Sequence, residues 1–161
     1  MRDNRLVSVG VLFVAGMGLS FFSCPSHAVQ EQDIKKTIGE IATAFQKGPP
    51  AQAKAQAKKL AVAAAKKLDE INDVMLLFRP PAKGGLGDKD GYTIAAIAEV
   101  TLARPPLRDQ GKKTKKAWAQ WSSDLRDAGL ALAQAKGAQQ IKAATAKVKT
   151  ICVNCHAVFK D

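Results

Sequence analysis

The chain has 161 residues, one domain's worth once an N-terminal segment is set aside. Ala, Lys, Leu and Gln dominate, and these residues lose little side-chain freedom in a helix. No stretch alternates β-branched and aromatic residues with period two, which speaks against a sheet and for an all-α fold. With 25 basic and 14 acidic residues the net charge is +11, so the surface favours acidic partners and steers their approach.

Residues 1–28 have the features of a signal peptide. Arg2 and Arg5 give the positive start, Leu6 to Phe22 is an uncharged apolar run, and Ser26-His27-Ala28 presents small residues to a signal peptidase, with the cut after Ala28. Two other readings are weaker. An uncleaved membrane anchor would have to span with a run of about 17 residues, the short end of the range. A lipoprotein anchored through Cys24 is poorly matched by Phe21-Phe22-Ser23. Cleavage directs the chain to the periplasm and removes Met1, Met17, Cys24 and His27. The mature chain, residues 29–161, then keeps one Met (Met75), one His (His156) and two Cys (Cys152 and Cys155), with 23 basic against 13 acidic residues. An exported chain with 6% aromatic residues argues against nucleic acid as the partner of that charge.

The first helix is predicted over Glu31 to Lys47, where Ile34, Ile38, Ile41 and Phe45 fall on one stripe and Gly48-Pro49-Pro50 ends it. A long second helix follows from Ala51 to Phe78. Ala61, Ala64, Leu68, Ile71, Met75 and Phe78 step by three and four along a bundle seam, and Arg79-Pro80-Pro81 stops it before a turn at Gly84-Gly85-Leu86-Gly87. Tyr92 to Ala103 reads as a short extra helix, N-capped by Asp90 and stopped by Arg104-Pro105-Pro106, an excursion between bundle helices. Lys112 to Lys136 is the third long helix, with Trp118, Trp121, Leu125, Ala128, Leu132 and Ala135 on its seam. Gly137 breaks the chain so briefly that the next helix must fold back antiparallel. The fourth, Ala138 to Phe159, carries Ile141, Thr145, Val148, Cys152, Cys155 and Phe159 inward. Together these elements predict an antiparallel up-down-up-down four-helix bundle with one short extra helix between helices two and three.

The fourth helix holds Cys152-Val153-Asn154-Cys155-His156, the Cys-x-x-Cys-His attachment signature of a c-type haem. Residues three and four apart share a helix face, so both thiols can reach the vinyl groups of one flat ligand and the imidazole its iron. A structural zinc site needs about four protein ligands and the mature chain offers three, all local. A thioredoxin-like pair would sit at the start of a helix after a strand, and this pair is near the end of the last helix. A plain structural disulfide is the remaining alternative. Attachment of one covalent haem c outside the cytoplasm fits the export signal.

A four-helix bundle with Cys-x-x-Cys-His near its C-terminus resembles a class II c-type cytochrome, the cytochrome c prime group. The likeness is strongest from Ala117 to Phe159: Trp118 and Trp121, Leu125, the turn at Gly137, and Val148 through the haem signature to Val158-Phe159. The end of helix two, Leu77-Phe78-Arg79-Pro80, is also similar, whereas the excursion between Asp88 and Gln110 departs from the pattern. The resemblance implies that Cys152 and Cys155 hold the haem and that His156 is the proximal iron ligand. It also implies two sub-types. One carries a Met in helix one and transfers electrons; the other leaves the sixth position open and binds nitric oxide or carbon monoxide. Helix one here has no Met, its inward residues being Ile34, Ile38, Ile41 and Phe45. In an up-down-up-down bundle, however, the ends of helices two and four lie together. Met75 is near one and His156 near the other, at similar depth for a rise of about 1.5 Å per residue. Met75 is therefore a sixth-ligand candidate from helix two, with core packing as its plain alternative.

By the same topology Trp118 and Trp121 lie at the haem end, as core residues or as a wall of the pocket. Lys112, Lys113, Lys115 and Lys116 oppose the dipole at a helix N-terminus and read as a solvated face or as a docking patch for an acidic redox partner. No catalytic constellation is evident: the glycine-rich turn follows no strand and lacks a phosphate-loop ending, and with His156 on iron no second imidazole is left. The sequence thus points to a non-enzymatic one-electron carrier. The alternatives are a five-coordinate gas-binding haem protein and a non-haem helical module with a structural disulfide. The class II resemblance allows a homodimer, although the exposed faces offer no obvious seam for one.

Overall fold

A computed structural model describes residues 27–48, 50–68, 75 and 86–159. The proposed signal peptide, apart from its last two residues, lies outside the described residues, as do Ile71 and Phe78 of the second seam and Gly84 and Gly85 of the glycine-rich turn. Among the described residues the fold is all-helical, with five helices: α1 (His27–Lys47), α2 (Pro50–Ala65), α3 (Asp88–Ala103), α4 (Lys115–Gln134) and α5 (Ala138–Phe159). The single extended pairing is an isolated bridge between Gln110 and Lys113. None of these helices is long and apolar enough to cross a membrane.

The apolar periodicities bury as expected where one stripe suffices. Ile34, Ile38 and Ile41 of α1 meet Ala57, Ala61 and Ala64 of α2, and the small α2 residues let the two helices lie close. The second helix is shorter than its periodicity predicts. It ends at Ala65, where the last carbonyls find other partners. Lys67 N–H donates to Ala64 O at 2.9 Å, a tightened last turn. The Arg104 guanidinium, at the far end of α3, donates to Ala65 O at 2.8 Å and to Leu68 O. Met75 is again in helical conformation.

The segment between the second and third long helices is not a short excursion. It is α3, a full 16-residue helix and the most deeply buried element described, with every residue from Ile94 to Thr101 buried. It starts two residues before Asp90. Asp90 is not the cap itself but reaches back from the first turn, its Oδ2 accepting from Gly87 N–H at 2.8 Å. α3 is the wall shared by two cores. Ala96, Ile97 and Val100 face α1 and α2, whereas Ile94 joins Leu86 with residues of α4 and α5. Among the described residues α1 and α2 pack on each other and on α3, α3 packs on α4, and α5 packs on α4. A helix apolar all round has no single stripe, which is why periodicity underrates it.

α3 and α4 run antiparallel, since the start of α3 at Gly91 touches Gly129 and Ala133 near the end of α4, and Thr101 touches Trp118 and Ser122 at its start. The turn between α4 and α5 is as short as expected. Gly137 adopts φ +81°, a conformation that costs glycine nothing, and Trp118 at the start of α4 meets Phe159 at the end of α5.

A buried ion pair crosses the α3–α4 interface. Arg126 Nη1 donates to Glu99 Oε1 at 3.1 Å, with the two residues 8% and 3% exposed, while its Nε donates to Asp127 Oδ1 at 2.9 Å. Burial alone would lower the Arg126 pKa, but hydrogen bonds and charge from Asp127 and Glu99 raise it, so the guanidinium stays ionised. Removing one partner of such a pair costs about 3–5 kcal/mol, whereas replacing both by apolar residues is near neutral or stabilising. Arg126→Ala should therefore destabilise by that amount in urea denaturation, and Arg126→Met with Glu99→Leu should recover most of the loss.

Candidate functional site

The site forms where α4 begins and α5 ends. α4 starts at Lys115, three residues later than its lysine-rich approach suggests, because two groups satisfy its first N–H donors. Thr114 Oγ1 accepts from Ala117 N–H at 3.0 Å and Asp109 Oδ1 accepts from Lys115 N–H at 2.7 Å. That register puts Trp118 one turn into the helix. Its indole N–H donates to Thr101 O at 2.6 Å, tying the start of α4 to the end of α3. The Thr101 hydroxyl donates to Ala98 O at 2.8 Å and lies 3.2 Å from Ser122 Oγ. The indole also meets the Phe159 ring edge-on, with centroids 4.9 Å apart and planes at 83°.

On α5, Val148 and Ile151 are buried against α4, and they fix the rotation of the helix. Cys152 follows into the same apolar cluster, Cys155 is half-buried one turn on, and His156 is mostly exposed beside it. Both cysteines are free thiols. Burial raises the pKa of the Cys152 thiol. Burial and then the neighbouring Cys152 charge raise that of Cys155. Both therefore carry their hydrogen at neutral pH. A redox or nucleophilic pair requires the opposite, a thiol whose thiolate is stabilised.

A small cavity joins these parts. Its walls are Met75, then Thr101 of α3, Trp118, Trp121, Ser122 and Leu125 of α4, and Ile151, Cys152, Cys155 and His156 of α5. All six residues that the sequence singles out for haem binding thus border one space. Thr101, Ser122 and Ile151 are added by the structure. Ser122 has a sequence signal, since it lies four residues after Trp118 on the same helix face, and Ile151 adjoins Cys152. Thr101 has none, because its place depends on how α3 packs. A wider, open groove between α1 and α2, along Lys36, Glu40, Thr43 and Gln56, contains neither thiol nor imidazole.

The donor set fits a covalently held haem: two protonated thiols a turn apart, an adjacent imidazole, and a wall of two indoles, Leu125 and Ile151. The enclosed volume is about 30 Å³, room for little more than ordered water. A macrocycle here would displace side-chain packing between α4, α5 and Met75 rather than enter a ready space. Among the described residues no three His, Cys, Asp or Glu side chains converge on a point as a bare metal ion requires. Comparison with protein-family models, curated proteins and solved structures gives no match to this chain.

Proposed function

We propose that this chain is an exported, periplasmic, monohaem c-type cytochrome of the class II kind, and that it carries one electron at a time. The observation that carries the reading is the cavity on which Cys152, Cys155, His156, Trp118, Trp121 and Met75 converge. The proposal includes the antiparallel four-helix bundle of that class, with α4 and α5 as two of its helices. When bound, the haem supplies an iron that alternates between ferric and ferrous.

The chain's own part is attachment, exclusion of water and tuning. Cys152 and Cys155 would each add across one vinyl group, sulfur bonding to one carbon and the thiol hydrogen passing to the other, with no electrons lost. Their raised pKa keeps that hydrogen in place. His156, one residue beyond Cys155, would bind iron from the same helix. Trp118, Trp121, Leu125 and Ile151 would keep the ring dry, and burial with the axial ligands would set the potential.

The mature chain's charge of +10 falls to roughly +8 with two ionised propionates, so an acidic partner is expected. Lys112, Lys115 and Lys116 are exposed at the start of α4, beside the turn that carries Trp118 to the cavity. Electron exchange with an acidic redox protein should slow about tenfold or more between low and high salt. Lys112→Glu with Lys116→Glu should flatten that dependence. A rate indifferent to salt in the unaltered protein would contradict electrostatic docking.

A further inference from the structure

We infer that Met75 supplies the sixth ligand of the haem iron, an assignment that rests on the haem reading above. Among the described residues ten border the cavity, and most of them can be set aside as iron ligands by their chemistry. Leu125 and Ile151 have no donor atom. The indole nitrogens of Trp118 and Trp121 are hydrogen-bond donors only, and that of Trp118 already serves Thr101 O. The Thr101 hydroxyl is spent on Ala98 O and stands beside Ser122 Oγ. Cys152 and Cys155 are used in attachment and His156 in proximal ligation. One strong donor is left, the Met75 thioether, which is a known type of axial ligand to c-type haem iron.

The position of Met75 supports the same assignment. It is partly buried and packs against the core formed by α1, α2 and α3, while also bordering the cavity between α4 and α5. It therefore faces the thiol-bearing helix from the other core and is not part of the α5 wall. Helix one contributes no residue to the cavity, so the absence of Met from its inward stripe leaves the sixth position undecided. Ligation by Met75 would give the iron a strong-field sixth ligand in both oxidation states. It closes the position that a gas would need and favours electron transfer.

The test uses the exported holoprotein and a Met75→Leu variant, which keeps the apolar bulk and removes the sulfur. The unaltered protein should be low-spin by magnetic circular dichroism in both oxidation states, and its reduced form should not take up carbon monoxide readily. The variant should become high-spin and gain carbon monoxide binding, with its far-ultraviolet dichroism unchanged. Proton NMR of the reduced unaltered protein gives an independent reading if the variant fails to fold, because a ligated methionine methyl is shifted far upfield by the haem ring. A covalent haem that is high-spin in the unaltered protein, or low-spin and unchanged in Met75→Leu, overturns the assignment and leaves the cytochrome reading standing. A chain with no covalent haem overturns the cytochrome reading itself.

Discussion

Alanine at Gly91 or at Gly129 should cost more stability than alanine at any other described glycine. A Cβ at Gly91 would stand 2.4 Å from Ala133 N, 2.6 Å from Gly129 O and 2.8 Å from Ala133 Cα. One at Gly129 would stand 2.8 Å from both Ala95 N and Gly91 O. These obstacles are backbone atoms of the facing helix, so relief requires α3 and α4 to separate along their whole contact. Overpacking usually costs about 1–3 kcal/mol and occasionally more, and immovable backbone puts these sites at the upper end. The helix propensity gained is about 1 kcal/mol, too little to offset it. Gly39, exposed on α1 with nothing within 4 Å of where an added Cβ would stand, is the control. Gly39→Ala should raise stability by up to about 1 kcal/mol. Urea midpoints of the three variants check the ordering.

That helix crossing marks the limit of what the residues announce by themselves. Ile34, Ile38 and Ile41 of the α1 stripe and the inward positions Trp118, Ala128, Leu132 and Val148 follow from spacing alone and are buried, while Phe45 at the end of that stripe is partly buried. The turn at Gly137 and the stop after Ala103 are legible in the same way. α4, however, has a second buried face, where Ser122, Arg126 and Gly129 meet α3. A serine, an arginine and a glycine do not look like core residues. They are buried because Thr101, Glu99 and Gly91 stand opposite them, and such pairing is tertiary information. The length of α3 is hidden for a related reason, since a helix buried on every side has no polar face to set its period. The end of α2 meets Arg104, nearly forty residues along the chain, a contact that no local pattern could supply.

At the candidate site the balance is reversed. Cys152, Cys155 and His156 are legible from a five-residue signature, and Trp118, Trp121 and Met75 from seam positions, before any fold is known. The structure adds that they border one space, and that Thr101 of α3 and Ser122 of α4 complete its wall.

Replacing both cysteines, Cys152→Ala with Cys155→Ala, should abolish covalent haem entirely, while each single variant should retain haem through one remaining thioether bond. Haem staining after denaturing electrophoresis distinguishes the three. The double variant should still form α5, because Val148 and Ile151 rather than the thiols anchor that helix to α4. Its far-ultraviolet dichroism should match that of the unaltered chain prepared without haem. Loss of helix in step with loss of haem would mean that α5 docks only once the macrocycle is attached.

The most direct test of the account is a pyridine haemochrome measurement on the unaltered protein, produced in cells that export it and assemble c-type cytochromes. After acid–acetone extraction to strip loose haem, the account predicts one haem per chain still attached, with no free thiol left at Cys152 or Cys155. No attached haem, with both thiols titrating free or joined to each other, would contradict it.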